Sequence, residues 1–242
     1  MEVSNSPWSS PLVVVVKKDK NLRFCIDYCE VNKKLVLDAY PLPTMDAILH
    51  DLGKKQWFST LDLKSGFWQV PLSEESKPIT ASSTPDGLFQ FTVLPFGLAT
   101  SPGVFQRSIS MLFKNMRCKQ NVHIYLDDLI VATEDLPAHI RTLEEVFETA
   151  QKALLKLNAV KSRLFQKSVT FLGHIISKDG IATCPDKTMS IEAYPEPTNI
   201  SDLRTFLGMS SYYRKFVHKF DSIAKPLYEL TSPKTPWVGT NG

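Results

Sequence analysis

The feature that most constrains this chain is a pair of aspartates, Asp127 and Asp128, inside the otherwise apolar segment 122–132. An ionised carboxylate in an apolar environment is costly unless a charge or hydrogen bonds compensate it. A hairpin with both aspartates near its turn would place them at a sheet edge, where a divalent cation can neutralise them. The alternative is a solvent-facing turn between two strands, and the pair alone does not separate the two.

A further acidic residue, Asp62, stands at the end of another apolar strand, predicted over 57–63. If this strand pairs beside the hairpin, three carboxylates converge on one patch. Their repulsion would raise their pKa values unless metal ions occupy the site. Such a patch suits two-metal phosphoryl transfer, in which one ion activates the attacking oxygen and the other holds the leaving group. The spacing alone does not establish that the three converge.

Composition argues against membrane and secreted proteins. The longest aliphatic run, 12–16, is far shorter than the roughly 18 residues of a membrane span. The amino terminus lacks the basic and apolar regions of a secretory signal. The cysteines show no CxxC pair and no metal-ligand spacing. We therefore expect an intracellular protein with reduced thiols and no membrane partner.

Basic residues are unevenly distributed along the chain. Residues 1–150 contain 15 Lys and Arg against 18 Asp and Glu, whereas residues 151–242 contain 13 against 7. A basic carboxyl-terminal third fits a polyanion such as a nucleic-acid backbone. A solvated basic face with no partner is the alternative.

Hydrophobic periodicity and turn residues predict strands and helices without strict βαβ alternation, hence an α+β fold with an antiparallel sheet. Ser201 is expected to cap a long final helix that continues through Val217. The other expected helices cover residues 45–52, 104–113 and 137–157. The expected strands or extended segments cover residues 12–16, 22–28, 57–63, 67–72 and 169–176, with the hairpin at 122–132.

Ordered motifs then point to a family. The motifs are Phe58-Ser-Thr-Leu-Asp62-Leu-Lys-Ser-Gly-Phe67, Leu94-Pro-Phe-Gly-Leu98, Phe105-Gln106-Arg107, Tyr125-Leu-Asp-Asp128 and Phe171-Leu-Gly-His174. In this order they resemble the reverse transcriptase of gypsy-type LTR retroelements, which is part of a Pol polyprotein. Segments near both ends are similar to the same group: Ser6-Pro-Trp-Ser-Ser-Pro11, and Leu203-Arg-Thr-Phe-Leu-Gly208 with Tyr212-Tyr213-Arg214.

The resemblance implies a right-hand polymerase fold with an antiparallel palm sheet, interleaved fingers and a helical, partial thumb. Fingers would comprise residues 1–37 and 73–101. Palm would comprise residues 38–72 and 102–177, and the partial thumb residues 178–242.

The resemblance also implies which residues bind metal and nucleotide. Asp62, Asp127 and Asp128 would be the catalytic carboxylates that hold two Mg²⁺ ions, with Mn²⁺ as an alternative ion. The backbone carbonyl of Leu63 would be a further metal ligand. The implied dNTP-binding residues are Lys17, Arg23, Phe67, Tyr125 and Leu126.

Some of these roles have simpler alternatives. Phe67 would be an aromatic gate that clashes with a ribose 2′-OH, and core packing is its alternative. Lys17 and Arg23 would hold the incoming triphosphate, a task suited to ammonium and guanidinium groups. Taken alone, both are ordinary surface charges on a hairpin.

Nucleic-acid contacts are implied for two later segments. Phe171, Leu172 and Gly173 would form the primer grip, with an exposed strand end as the alternative. Basic residues of the predicted final helix would follow the duplex backbone: Arg204, Arg214, Lys215 and Lys219. The expected partners are an RNA template, a DNA primer or RNA/DNA hybrid, and dNTPs.

The chain departs from the resembled pattern at several positions. Cys29 stands where arginine is usual, and Ser162 and Cys184 replace a common cysteine and a common aspartate. Ser82 stands where a core aromatic is expected, a loss of roughly 3 kcal/mol if the site is buried. These departures favour an alternative function, a truncated or decayed relic that is weak or inactive but still binds nucleic acid.

A nucleotide cyclase with a similar palm is a further alternative, but it has no use for the primer-grip and thumb segments. Ribonuclease H, protease and integrase activities would lie elsewhere in the parent polyprotein. The sequence therefore favours an RNA-directed DNA polymerase, a nucleotidyltransferase.

Overall fold

The computed structural model describes residues 1–16, 22–38 and 40–232. The chain divides into two compact units, of which one comprises Met1–Val169 and the other begins at Thr170. They are termed the larger and the smaller unit below. No helix in the described ranges combines the length and the apolar composition needed to cross a bilayer.

The larger unit has two sheets among its described residues. The strands of the first are β1 (Glu2–Val3), β2 (Ser10–Val16), β3 (Leu22–Ile26), β5 (Ser82–Thr84) and β6 (Gly87–Gln90). Those of the second are β4 (Trp57–Leu63), β7 (Val122–Tyr125), β8 (Asp128–Thr133) and β9 (Leu157–Gln166). The first sheet has the order β1-β6-β5-β2-β3 and includes a parallel β2–β5 pair, whereas the second is antiparallel with the order β7-β8-β4-β9.

Helices of the larger unit begin where a polar side chain or a proline favours the first turn. They are α1 (Cys29–Asn32), α2 (Met45–Leu52), α3 (Ser101–Leu112) and α4 (Leu136–Lys152). Thr44 caps α2 by accepting from the N–H of Ala47 at 3.4 Å, and Asp135 caps α4 by accepting from that of Ala138 at 2.7 Å. Short 3₁₀ segments lie at Gly66–Gln69, Lys77–Thr80 and Lys119–Asn121.

The main core of the larger unit lies on the second sheet. Helix α3 packs against β7, and α4 packs against β8 and β4. Strand β4 therefore lies between β8 and β9 in the sheet, and helix α4 packs against it. The most deeply buried apolar side chains of this core include Leu61, Phe105, Phe113, Leu129, Val131 and Val146.

The smaller unit combines a short sheet with helices. The unit boundary falls within β10 (Ser168–Phe171), whose last two residues begin the smaller unit. The elements that follow are β11 (His174–Ser177), β12 (Gly180–Thr183), α5 (Pro185–Glu192), α6 (Ile200–Tyr212), a 3₁₀ segment (Arg214–Phe216) and α7 (Phe220–Leu230). The sheet order is β10-β11-β12. Leu203, Leu207 and Ala224 form the centre of the contact between α6 and α7.

Several predicted elements are confirmed. The helix over 45–52 and the strand over 57–63 have the expected bounds, and the hairpin over 122–132 is present as β7 and β8. The α+β mixture is also observed. The division of the chain after residue 169 falls inside the predicted palm segment 102–177, and the finger, palm and thumb boundaries stay predictions.

Other expectations about elements are wrong for local reasons. The final helix begins at Ile200, because the side chain of Asn199 accepts from the N–H of Asp202 at 2.9 Å, and Ser201 lies inside the first turn. The helix expected over 137–157 ends at Lys152. Leu154 then adopts the left-handed region with φ of 56°, which no α-helix continues through.

The segment 67–72, expected to be extended, instead begins with the 3₁₀ segment Gly66–Gln69. Ser65 precedes this segment with φ of 53°, a left-handed conformation that turns the chain at the end of β4. Strand β9 has no counterpart among the predictions. Most of its residues are exposed, so no clear alternation marks it in the sequence.

Candidate active site

Strand pairing brings Asp62 to the acidic pair. Strand β4 runs antiparallel to β8, and the register places Asp62 directly opposite Asp128. Directly opposed residues of an antiparallel pair have their side chains on the same face of the sheet. The 57–63 strand thus pairs with the hairpin, the condition under which the sequence brings these carboxylates together, and two carboxylates far apart in sequence are neighbours.

A two-residue turn, Leu126 and Asp127, joins β7 to β8. Leu126 has φ of 51°, in the left-handed region that non-glycine residues seldom adopt. Its N–H donates to Oε1 of Gln106 at 2.7 Å, and Nε2 of Gln106 donates to the carbonyl of Ile124 at 3.2 Å. Gln106 on α3, which is almost fully buried, thus holds the hairpin in place.

The carboxylate of Asp127 occupies a niche over Gly66. A Cβ added to Gly66 would overlap Oδ1 of Asp127 and lie 2.9 Å from the ring of Phe105, so a glycine is needed for this arrangement. Oδ1 is buried and accepts no hydrogen bond from the described residues. Burial, together with the nearby charges of Asp128 and Asp62, raises the pKa of Asp127 to about 6.

The surroundings of Asp62 and Asp128 are more open and include an ammonium group. Nζ of Lys161 on β9 lies 3.8 Å from Oδ2 of Asp62. Partial desolvation and the charge of Asp62 raise the pKa of Asp128, while the charge of Lys161 opposes this shift. The carboxylates therefore share one electrostatic environment.

Backbone pairing beside Asp62 is irregular and is completed by a side chain. The β4–β9 register shifts between Thr60 and Asp62. There the N–H of Asp62 donates to Oγ of Ser162 at 3.3 Å, and this hydroxyl donates to the carbonyl of Asn158 at 2.7 Å. Ser162 thus links the N–H of Asp62 to β9 at the point where the register shifts.

The three carboxylates fit a metal in chemistry but are not gathered around one point. No group of three His, Cys, Asp or Glu side chains in the described part of the chain is arranged to hold an ion. Hard carboxylate oxygens are nevertheless the ligands that Mg²⁺ prefers, with water and phosphate completing its shell. The buried Oδ1 of Asp127, without a hydrogen-bond donor, is an oxygen that a cation would satisfy. A shared ion requires the side chains to move closer together.

Phe67 packs between two other aromatic rings. Its centroid lies 4.8 Å from that of Phe105 and 4.7 Å from that of Phe96. Phe67 is 7% exposed and belongs to the main core, whereas Phe96 is 42% exposed. The gate role of Phe67 stays a prediction, and the packing role is observed.

The predicted primer-grip residues form a tight turn in the smaller unit. Phe171 ends β10 and is buried, and Leu172 and Gly173 connect β10 to β11. Both connecting residues have positive φ, 47° and 71° respectively. The segment is therefore a defined turn, and its role as a primer grip stays a prediction.

A family model described as reverse transcriptase (RNA-dependent DNA polymerase) matches residues 15–176, more than half of the chain. The chain belongs to the reverse transcriptase family. The family predicted from the ordered motifs is confirmed.

The relatives of this reverse transcriptase chain include Pol polyproteins of transposons. The chain is 41% identical to the retrovirus-related Pol polyprotein from transposon opus of Drosophila melanogaster, over 94% of this chain and 23% of the relative. It is 38% identical to that from transposon gypsy of the same organism, over 94% of this chain and 22% of the relative. The chain thus spans less than a quarter of the length of these relatives.

Solved structures confirm the predicted fold class. The foamy viral protease-reverse transcriptase dRH in complex with double-stranded DNA matches with a TM-score of 0.87 and 31% identity, over 98% of this chain and 42% of that chain. The foamy viral protease-reverse transcriptase in complex with RNA/DNA hybrid matches with a TM-score of 0.84 and 31% identity, over 97% and 32%. The α+β right-hand polymerase fold expected from the sequence is therefore present.

The structure describes only some of the other residues predicted to bind dNTP in this reverse transcriptase. Lys17 and the side chain of Arg23 lie outside the described part of the chain. Tyr125 ends β7 and Leu126 begins the turn, and both are half-buried. The carbonyl of Leu63, predicted as a metal ligand, belongs to the residue whose N–H donates to the carbonyl of Asp127 at 3.3 Å.

The prediction that one helix displays the four basic thumb residues is wrong. Arg204 lies on α6, where Nη2 donates to the carbonyl of Thr231 at 3.0 Å. Arg214 and Lys215 follow the end of α6 in a 3₁₀ segment, and Lys219 precedes α7. All four are exposed, but they belong to different elements, since α6 ends at Tyr212.

The basic surplus also lies elsewhere than expected. Residues 151–169 contain five basic residues and no acidic residue, whereas residues 170–242 are nearly balanced. All five lie in the larger unit: Lys152 ends α4, and the others lie on or directly beside β9, namely Lys156, Lys161, Arg163 and Lys167. The surplus of positive over negative charge therefore lies in the segment around β9 and not in the predicted thumb, and Lys161 of this segment is next to Asp62.

Functional neighbours of the carboxylates were only partly recognisable in the sequence. Gln106 and Gly66 lie within the ordered family motifs, but the motifs predict no role for either residue. No role was predicted for Lys161. The signal for Gln106 is an amide among the apolar residues of the buried face of α3. Lys161 carries no comparable signal, because an exposed lysine on an irregular strand looks like any surface charge.

Proposed function

We propose that this chain is the polymerase portion of a retroelement Pol polyprotein and that it extends a DNA primer on an RNA template with dNTPs. The observation that supports this most is the placement of Asp62 opposite Asp128, beside the turn that holds Asp127, in a chain of the reverse transcriptase family. Relatives solved with double-stranded DNA and with an RNA/DNA hybrid support a duplex as partner.

The reaction is attack of the primer 3′-oxygen on the α-phosphorus of a dNTP, which forms a P–O bond and releases pyrophosphate. Two Mg²⁺ ions, with Mn²⁺ as an alternative, would when bound supply Lewis-acid activation and neutralise phosphate charge. Asp62, Asp127 and Asp128 would hold them, with the carbonyl of Leu63 as a further ligand. Little covalent chemistry is left to the protein, so alignment and charge placement dominate.

The chain's own residues have the task of alignment. Gln106 fixes the turn that displays Asp127, through its bonds to Leu126 and Ile124. Phe67, braced by its aromatic neighbours, would limit the space beside the sugar of the incoming nucleotide. The turn formed by 171–173 would hold the primer end, and the exposed basic residues of the smaller unit would contact the duplex backbone.

A second candidate is a relic that binds nucleic acid without polymerising. It is favoured by Ser82, which is fully buried and whose Oγ has no hydrogen-bond partner among the described residues. Ser82 lines a pocket of about 370 Å³ together with Leu12, Phe24, Trp68 and Phe91, among others. A pocket and an unsatisfied hydroxyl are what remains when a core aromatic is replaced by serine.

Primer extension separates the candidates. The purified chain is assayed on poly(rA)–oligo(dT) with dTTP and either Mg²⁺ or Mn²⁺, beside Asp127→Asn and the control Asp179→Asn, an exposed residue between β11 and β12. We expect extension by the wild type and the control, and none by Asp127→Asn. Salt-dependent duplex binding without extension under either metal would establish the relic. Absence of both binding and extension would overturn the proposed function.

A further inference from the structure

The turn between β10 and β11 is strained. A two-residue turn with positive φ at both positions suits the twist of an antiparallel hairpin, but it is normally built from Asn-Gly or Gly-Gly. Here Leu172 occupies the first left-handed position with φ of 47°. Such strain persists only where the surrounding structure over-determines the conformation. The neighbours of this turn are therefore informative.

Two tyrosine hydroxyls hold the carbonyls of the turn. The hydroxyl of Tyr212 donates to the carbonyl of Leu172 at 2.6 Å, and the hydroxyl of Tyr213 donates to that of Gly173 at 3.0 Å. Nδ1 of His174 lies 2.8 Å from the carbonyl of Leu172. Both carbonyls of the turn thus have side-chain partners, and two of these come from the end of α6.

The tyrosine hydroxyls lie close to the Cα of Gly173. A Cβ added to Gly173 would lie 3.3 Å from the hydroxyl of Tyr213 and 3.5 Å from that of Tyr212, at a φ of 71° that strains any other residue. The tyrosine rings also pack on His174, with centroids at 5.4 and 5.5 Å. Ring packing and hydroxyl hydrogen bonds contribute separately to holding the turn. A phenylalanine at either position keeps the ring packing and loses the hydrogen bond.

We propose that Tyr212 and Tyr213 are positioning residues whose hydroxyls fix the Leu172–Gly173 turn to the end of α6 in the conformation that meets the primer terminus. The part concerning the primer rests on the proposed function. The part concerning the turn does not, because both hydroxyl bonds lie within the smaller unit. Helix α6 and the turn then respond to bound duplex as one rigid piece.

The first test is amide hydrogen exchange on the full free chain. It compares the wild type, Tyr212→Phe, Tyr213→Phe and the double variant, with Tyr194→Phe as the control. Tyr194 also donates to a carbonyl of the smaller unit, that of Asp202 at 3.4 Å, but does not touch the turn. We expect exchange in peptides spanning 171–175 to accelerate about tenfold in the double variant and to stay unchanged in the control.

The second test measures how the chain holds the 3′ terminus of the primer. A 2-aminopurine at the 3′ end of the primer reports how the terminal base is held in the binary complex, without catalysis. We expect its fluorescence to change in the double variant relative to the wild type. In extension assays the double variant should lose about tenfold in kcat with the KM for dNTP nearly unchanged, because a misplaced 3′-oxygen slows the chemical step.

The outcomes distinguish the inference from the proposed function. Unchanged exchange at the turn in the double variant overturns the inference, whatever the activity. Faster exchange with unaltered primer fluorescence and kcat overturns the positioning role. If the wild type does not extend primers, the proposed function fails, and exchange with the fluorescence signal still decides the inference. If the double variant does not fold, the single variant Tyr212→Phe, whose ring is partly exposed, provides the same test.

Discussion

Ser59 and Asp62 lie close together on strand β4, yet the polar groups around them are satisfied to very different degrees. Oγ of Ser59 lies 2.7 Å from Nε2 of His139 and accepts from the N–H of Phe165 at 3.0 Å. Nδ1 of the same histidine lies 3.0 Å from Oγ1 of Thr133. The ring is neutral, since burial lowers the pKa of His139 to about 4.

The acidic end of the strand is arranged in the opposite way. Asp127 has a buried oxygen with no hydrogen-bond partner among the described residues, and its neighbours Asp62 and Asp128 repel it. A partnered neutral network stabilises the fold, whereas uncompensated carboxylates cost stability unless a cation joins them. The end of β4 that carries Asp62, at the proposed active site, is therefore less well stabilised than the end that carries Ser59.

The largest expected effect is on activity at the acidic end. Asp62→Asn should lower the rate of primer extension by roughly a thousandfold or more, since it removes a proposed metal ligand. Ser59→Ala should leave kcat within a few-fold at a temperature where the variant is folded. Steady-state extension assays measure both. Equal losses in the two variants would mean that the two ends of β4 do not differ in function.

The next effect is on stability at the neutral end. His139→Ala should lower the free energy of unfolding by about 3–4 kcal/mol, because it opens a cavity and removes the buried hydrogen bonds of the imidazole to Ser59 and Thr133. Urea unfolding followed by tryptophan fluorescence measures the change. Asp128→Asn, at an exposed position of the acidic end, is the control and should not destabilise. A loss below about 1 kcal/mol would show that the network is not a stability element.

The same histidine makes stability depend on pH. In the unfolded chain its pKa is about 6.5, so the unfolded state takes up a proton below that pH while the folded state does not until about pH 4. Stability contributed by neutral His139 is thus fully present above pH 6.5 and lost as pH falls toward 4. The wild type should lose about 2–3 kcal/mol relative to His139→Gln over this window. Parallel pH profiles for the two proteins would contradict the prediction.

Elements with one strong pattern could be predicted from the sequence. Strand β4 and helix α2 have apolar patterns and clear boundary residues, and both were placed correctly. The pairing of Asp62 with the acidic hairpin could not be predicted from the sequence, since register is a tertiary property that spacing does not encode. The ordered motifs supplied the family and the fold.

What could not be predicted depends on contacts between distant segments. Strand β9 is largely exposed and gives no periodicity, so Lys161 and Ser162 were not expected beside Asp62. Gly66 makes a niche for Asp127 only after the hairpin folds over it. The cap of α6 fell on Asn199 because two residues near the helix start have capping side chains, and backbone conformation decided between them.

A smaller effect on stability is expected when the buried charge of Asp127, which Asp128 and Asp62 repel, is removed. The folded-state pKa of Asp127, about 6, lies above its ordinary value of 3.8. The stability that its protonation gives is present below pH 3.8 and lost as pH rises through 6. In metal-free protein well above pH 6, Asp127→Asn should therefore raise the free energy of unfolding by about 1–2 kcal/mol, allowing for partial exposure.

Urea unfolding in EDTA, at pH values on both sides of this window, measures the change. The difference between Asp127→Asn and the wild type should vanish at the acidic extreme, where the carboxyl is protonated in both states. Saturating Mg²⁺ should reverse it, because only the wild type gains stability from the ion. A destabilised Asn variant at every pH would mean that the Gly66 niche favours the charged carboxylate.

The smallest expected effect compares two buried serines of the larger unit. The hydroxyl of Ser82 has no partner in the described part of the chain, whereas the hydroxyl of Ser59 bonds to His139 and Phe165. Ser82→Ala should therefore stabilise the fold by about 1 kcal/mol, since it removes an unsatisfied polar atom, and Ser59→Ala should destabilise it by a similar amount. The same urea titration measures both. If Ser82→Ala is destabilising, a water in the adjoining pocket satisfies this hydroxyl, and the serine is then an adapted residue and not a mark of decay.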